Sequence, residues 1–133
     1  MRTAVDTSVL VDVLRNDPSH GHASAAALRR AYQEGGLALS EIAYAELAPF
    51  FDTQADLDAA LALVGAQVEP LGLQGAFLAG TAHARYRRAG GRRPRVLADF
   101  LIGAHALVHA DRLLTRDRGF YRRYFADLVL MEP

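Results

Sequence analysis

Short apolar runs alternate with amphipathic stretches along the chain. Thr3-Ala4-Val5 reads as a strand ending at Asp6, and Thr7 or Ser8 can N-cap a helix whose Val9, Leu10, Val13 and Leu14 share a face. Asn16-Asp17-Pro18 breaks the pattern, and a second helix spans about Ala23 to Glu34 before stopping at Gly35-Gly36. Leu37-Ala38-Leu39 is the next strand. Ser40 caps a helix to about Phe51, a short helix covers Asp56 to Val64, and Gln67-Val68-Glu69 makes a brief strand before Pro70. Gln74 to Ala89 is helical, followed by a glycine- and arginine-rich loop to Pro94. Arg95 or Val96 to about Ala110 is a helix, Arg112 to Thr115 a strand, Gly119 to Phe125 a short helix, and Leu128-Val129-Leu130 a closing strand. Strands alternating with helices predict an α/β domain with a parallel sheet covered on both faces. In such sheets a ligand sits beyond the carboxyl ends of the strands. Asp6, Ser40 and Asp117 all fall at or just after strand ends.

With 133 residues, one domain is expected. The longest near-apolar stretch, Leu97 to Ala110, carries an aspartate and two histidines and is too short to span a bilayer. The opening residues lack the apolar core of a signal peptide. A cytoplasmic protein without membrane association is the expectation. No cysteine is present, which excludes disulfides, thiolate zinc sites and cysteine nucleophiles. All fifteen basic residues are arginine, so P-loop NTPases, Schiff-base enzymes and response-regulator receivers, which need a lysine, are excluded as well.

Formal net charge is zero, but the charges are segregated. Arg85, Arg87, Arg88, Arg92, Arg93 and Arg95 cluster ahead of one helix, and Arg112, Arg116, Arg118, Arg122 and Arg123 follow later. The acids between Glu34 and Glu69 have no base among them. A neutral chain with this distribution can carry a local polyanion site.

The candidate chemistry is acidic. Asp6 lies between a strand and a helix start, where the positive helix terminus alone could favour it. Asp12, further along that helix, is a weaker candidate. Glu46 falls inside the apolar sector formed by Ile42, Ala43, Leu47 and Phe50, where a carboxylate is costly unless a cation meets it. Asp99 is the only acid in a helix that is apolar nearly all round, so it is expected to be buried. Asp117 follows a strand end, where turn chemistry would also explain it. Acids gathered at one end of a parallel sheet repel one another unless a divalent cation is present, and carboxylate oxygens are what Mg²⁺ and Mn²⁺ prefer. His105 and His109 have the i, i+4 spacing of zinc sites, yet lie about ninety degrees round the helix from Asp99 with no third ligand. They are expected to be packing residues.

Four segments now resemble a known family. Val5-Asp6-Thr7-Ser8-Val9-Leu10-Val11-Asp12, Ala43-Tyr44-Ala45-Glu46-Leu47, Leu97-Ala98-Asp99-Phe100-Leu101-Ile102-Gly103-Ala104-His105-Ala106 and Leu113-Leu114-Thr115-Arg116-Asp117-Arg118-Gly119-Phe120 resemble the motifs of PIN-domain ribonucleases. The match is nearest to VapC-type toxins of prokaryotic toxin–antitoxin pairs and extends from Thr3 to the final strand. The resemblance implies a five-stranded parallel sheet, an Mg²⁺ or Mn²⁺ site and endoribonuclease activity. Asp6, Glu46, Asp99 and Asp117 would be the catalytic and metal-binding acids, with Thr7, Ser8 or Thr115 as polar neighbours. It also implies a homodimer and a cognate antitoxin. A four-acid pocket invites an arginine or lysine from such a partner. Metal-activated water would cleave RNA to 5′-phosphate and 3′-hydroxyl ends. Arg87, Arg88, Arg92, Arg93 and Arg116 are candidate RNA contacts, in a chain richer in arginine before Asp99 than the family generally is.

A haloacid-dehalogenase-type phosphohydrolase also starts with Asp after a first strand, but Ser8 stands where its second Asp belongs and its lysine is missing. A PIN-type chain could also be a chromosomal RNA-processing nuclease that is not a toxin, or a module that binds RNA or protein without cutting it.

Overall fold

The computed structural model describes residues 1–90 and 96–133; Arg92, Arg93 and Arg95 lie outside them. Five strands, β1 (Thr3–Val5), β2 (Leu37–Leu39), β3 (Ala66–Val68), β4 (Arg112–Leu114) and β5 (Leu130–Met131), form one sheet in the order β3-β2-β1-β4-β5. Every pairing is parallel, with Ala4 beside Ala38 on one side and Leu113 on the other. The α/β architecture expected from the sequence is therefore present.

The connections are α1 (Thr7–Leu14) and α2 (Gly21–Gly35) between β1 and β2, then α3 (Glu41–Leu47) and α4 (Gln54–Val64) before β3. The long return to β4 uses α5 (Gly72–Arg88) and α6 (Leu97–His109), and α7 (Arg118–Tyr124) leads to β5. The chain first moves from β1 toward the β3 edge and then crosses back beyond β1. Right-handed crossovers running in opposite directions put α1 to α4 on one face and α5 to α7 on the other. Contacts agree: α2 packs on β1 and β2, and α6 on β1 and β4. The order reverses between β1 and β4, which makes that pair the topological switch point.

The strands are short, and β1 and β2 are fully buried, as expected where both faces are covered. Val5, Leu39, Leu113 and Leu114 meet Val9, Leu47, Leu57 and Phe100 in one continuous core. Phe100 anchors an aromatic cluster, its ring centroid lying 5.1 Å from Phe120, 5.6 Å from Tyr86 and 5.7 Å from Tyr124. His105 and His109 place Nε2 2.8 Å and 2.7 Å from the carbonyl oxygens of Glu69 and Leu71. They tie α6 to the β3–α5 connection, as packing residues would. Burial is the main reason the His105 pKa falls below its usual value.

Boundaries differ from expectation where local chemistry competes. Helix α3 ends at Leu47 and tightens into a 3₁₀ turn, Ala48–Phe50, around Pro49, which has no N–H to continue an α-helix. Ser40 does cap it, accepting the Ala43 N–H at 3.0 Å. For α1 the N-cap is Asp6 rather than Thr7 or Ser8, and its side chain makes no capping bond.

Candidate active site

Released from capping, the Asp6 carboxylate turns across the switch point. Its oxygen Oδ2 accepts the Thr115 hydroxyl at 2.7 Å and, at 3.4 Å, the buried Tyr121 hydroxyl. Register explains the first contact: Val5 pairs with Leu114, so Asp6 and Thr115 are the next residues on adjacent parallel strands. Thr115 Oγ1 also accepts the Asp117 N–H at 3.0 Å, linking the turn that carries Asp117 to Asp6. Asp117 itself is half-buried at the N-cap of α7.

Asp99 and Glu46 approach from the two flanking layers. Helix α6 ends at His109 just before β4 begins, so it runs back along the sheet and its first turn, with Asp99, lies at the carboxyl edge. The positive helix terminus favours an acid there. Helix α3 contacts both α1 and α6. Its Glu46 accepts the Thr7 hydroxyl at 2.8 Å.

The electrostatic consequence appears at Asp6, which is only 8% exposed. Burial, then the like charges of Asp99 and Glu46, raise its pKa from 3.8 to about 6 against the lowering effect of the Thr115 hydrogen bond. Asp6, Asp99 and Glu46 thus share one electrostatic environment. Among the described residues, no group of three or more His, Asp or Glu side chains is drawn together closely enough to hold a metal ion. The donor chemistry nevertheless fits a hard divalent cation: carboxylates and hydroxyls, with oxygen the only ligand atom.

Two expectations about burial change. Glu46 is exposed rather than core-facing. Ala43 and Leu47 point inward, and Glu46 lies roughly 80° round the helix from their midpoint, at the rim of the stripe. Asp99 is half-buried, because the first turn of α6 opens to the edge while Phe100 and Ile102 to Ala106 are enclosed.

Arg116, a candidate RNA contact, has a different engagement. Its Nε and Nη2 donate to the two oxygens of Asp12 at 2.8 and 3.0 Å. The Asp12 side chain is 6% exposed and also accepts the Ser24 hydroxyl at 2.8 Å. Asp12 therefore clamps α1 to α2 and to the turn between Thr115 and Asp117. The sequence did not point to this pair or to Tyr121. Asp12 offered a signal, since it falls on the same side of α1 as Val9; Tyr121 offered none. Arg87 and Arg88 are exposed at the end of α5. The candidate RNA contacts Arg92 and Arg93 lie outside the described residues.

An α/β sheet with a buried carboxylate at its switch point places that carboxylate where such folds bind their ligands. The particular family follows from comparison: the PIN domain model matches residues 3–126, and the chain belongs to the PIN domain family. No curated protein matches it. Among solved structures it is similar to a chain of VapBC-1 from nontypeable Haemophilus influenzae (TM-score 0.73, 22% identity, covering 99% of this chain and 98% of that one). It is also similar to a chain of VapBC2 from Rickettsia felis, solved with a DNA fragment from their promoter (TM-score 0.72, 19% identity, 99% and 98% covered). A third is a toxin–antitoxin complex from Klebsiella pneumoniae (TM-score 0.62, 19% identity, 97% and 95% covered). At these identities the likeness is one of fold. Among the described residues no helix is long and apolar enough to cross a membrane.

Proposed function

We propose that this chain is a divalent-metal-dependent endoribonuclease acting as the toxin of a toxin–antitoxin pair, with RNA as substrate. The observation that carries the reading is Asp6: a buried carboxylate whose proton affinity is raised by the charges of Asp99 and Glu46, at the switch point of a PIN fold. Such a site favours binding a cation, because a cation relieves both burial and repulsion at once. Asp6, Asp99, Glu46 and Asp117 would hold Mg²⁺ or Mn²⁺. When bound, the metal polarises a phosphodiester and supplies hydroxide at neutral pH. Thr115 fixes the Asp6 rotamer, Thr7 fixes Glu46, and the Asp12–Arg116 clamp holds the turn carrying Asp117. Similarity in fold to the toxin–antitoxin complex supports an antitoxin partner; the homodimer is what the family resemblance implies.

The test is cleavage of a single-stranded RNA with Mg²⁺ or Mn²⁺ and with EDTA, for the parent and for Asp99→Asn. Metal-dependent cleavage with 5′-phosphate ends, lost in the variant, is expected. Metal binding without turnover would instead identify a binding module. Turnover in a chain with no adjacent small antitoxin gene would favour a chromosomal RNA-processing enzyme.

A further inference from the structure

Two sets of arginines stand out, apart from Arg15, whose guanidinium lies over the Phe50 ring, and Arg29 on α2, which also have no carboxylate partner among the described residues. Arg2, Arg30, Arg112, Arg116 and Arg118 each pair with a carboxylate: Glu69, Glu34 (for both Arg30 and Arg112), Asp12 and Glu132. Arg85, Arg87, Arg88, Arg122 and Arg123 pair with none among the described residues, and all five are exposed. They come from two elements, the last turn of α5 and the last turn of α7.

Those two ends converge. Arg85 Nη2 donates to the Tyr124 carbonyl at 3.0 Å, and the Tyr86 and Tyr124 rings meet edge-on at 5.6 Å. The Arg123 guanidinium lies 5.6 Å from the Tyr124 ring centroid. A groove beside this junction is lined by Arg85, Arg123, Tyr124, Thr81 and the single acid Asp127. Helix dipoles favour cations in last turns, which accounts for arginine at each end separately. They do not account for two such ends meeting on one face without carboxylate partners.

The face also has a direction. Helix α5 packs antiparallel against α6, with His109 reaching Leu71 at one end and Tyr86 meeting Phe100 at the other, so Arg87 and Arg88 stand toward the same sheet edge as Asp99. Arg122 is five residues beyond Asp117, less than two turns of helix. On the other side of Asp6, along α3 and α4, Glu41, Glu46, Asp52, Asp56 and Asp58 are exposed and no arginine lies between residues 31 and 84. A polyanionic strand crossing the site is therefore attracted on the β4–β5 side and repelled on the β2–β3 side.

We infer that Arg87 and Arg88 of α5, with Arg122 and Arg123 of α7, form the surface that grips the phosphate backbone of single-stranded RNA on one side of the acidic site. Arg85 holds the two helix ends together. The inference rests on the ribonuclease reading for its substrate. To the arginines singled out as RNA contacts it adds Arg122 and Arg123 of α7, and it assigns Arg116 to the Asp12 clamp instead.

The experiment measures binding of a fluorescent single-stranded oligoribonucleotide in EDTA, where no cleavage occurs, across a salt series. The proteins are the parent, Arg87→Gln/Arg88→Gln, Arg122→Gln/Arg123→Gln, and a control pair on α2, Arg29→Gln/Arg30→Gln. Each lost phosphate contact should reduce the magnitude of the salt slope by about 0.7, so each test pair should lose about 1.4. The control should keep the parent slope. Parent-like slopes in both test pairs would overturn the inference, as would RNA binding that is unchanged while affinity for a partner protein falls. Cleavage of a small phosphodiester by the parent with Mn²⁺ reports on the nuclease reading separately. If that fails while the test pairs still lose slope, the RNA surface stands and the catalytic reading falls.

Discussion

Replacing Asp6 by Asn tests the electrostatics of the site without reference to catalysis. The amide oxygen can still accept the Thr115 hydroxyl, so the substitution removes a charge while keeping the shape and the hydrogen bond. In the folded parent the Asp6 pKa is about 6, against 3.8 for an unperturbed carboxyl. Each tenfold change in proton affinity is worth about 1.4 kcal/mol. The buried charge therefore costs about 3 kcal/mol of stability when fully developed.

Between pH 3.8 and about 6 the folded protein keeps the proton that the unfolded chain has released. Stability is consequently lost as pH rises through that window, and the whole cost is present above it. In EDTA, Asp6→Asn and parent should melt close together near pH 4. By pH 7.5 the variant should be more stable by about 3 kcal/mol, or about 10 °C in Tm. His105 titrates in the opposite sense, because its lowered pKa makes stability fall as pH drops below the ordinary histidine range. It is common to both proteins and cancels in the difference. Thermal melts by circular dichroism at half-unit pH steps give the comparison. A Tm difference that does not depend on pH, or an Asn variant less stable at pH 7.5, would refute the reasoning. Under the proposed function, metal at about a hundredfold excess over its Kd should restore roughly 2.7 kcal/mol to the parent and much less to the variant.

Further substitutions address the surroundings. Glu46→Gln keeps an acceptor for the Thr7 hydroxyl but removes a charge felt at Asp6, so the Asp6 carboxyl should titrate at lower pH by NMR. Arg116→Ala leaves the buried Asp12 charge with only Ser24; because Arg116 is partly solvated, the expected loss is about 2 kcal/mol by urea denaturation, largely recovered when Asp12→Asn is added. Tyr86→Phe deletes a buried hydroxyl that has no hydrogen-bond partner among the described residues and should stabilise the protein by about 1 kcal/mol in the same assay. A Cβ at Gly103 would fall 2.5 Å from the Phe125 ring, so Gly103→Ala should cost about 2 kcal/mol through displaced packing.

Strand order and the acidic constellation were unequally legible in the sequence. Element identity followed from local pattern: Thr3–Val5 and Leu37–Leu39 are short apolar runs bounded by breakers, and both became buried parallel strands. The acids could be named because each is out of place locally, whether at a strand end or within an apolar helix. Their environments could not be read the same way. Periodicity put Glu46 in a core-facing sector, yet a two-turn helix has a rim, and a long side chain at the rim reaches the cleft while staying solvated. Asp99 looked buried because its helix is apolar nearly all round, but its place in the first turn decided its exposure. Arg116 looked like one more cation beside an acid. Only the fold reveals that Asp12, more than a hundred residues earlier, claims two of its nitrogens.

Strand reversal links these observations. Because β1 and β4 are adjacent while their following helices depart to opposite faces, the backbone opens a gap just beyond Val5 and Leu114. The side chains next in line, Asp6 and Thr115, meet across it rather than pointing into either helical layer. The same reversal sorts the charge. Helices α3 and α4, which follow β2, lie on one side of Asp6 and carry its exposed acids; α7, which follows β4, and the end of α5 that packs against it carry five arginines without a carboxylate partner among the described residues. A chain of zero net charge thereby acquires a strong local gradient across one carboxylate. Total charge could not reveal that gradient, because it arises from topology: an acid-rich segment and an arginine-rich segment are folded to opposite flanks of the first strand.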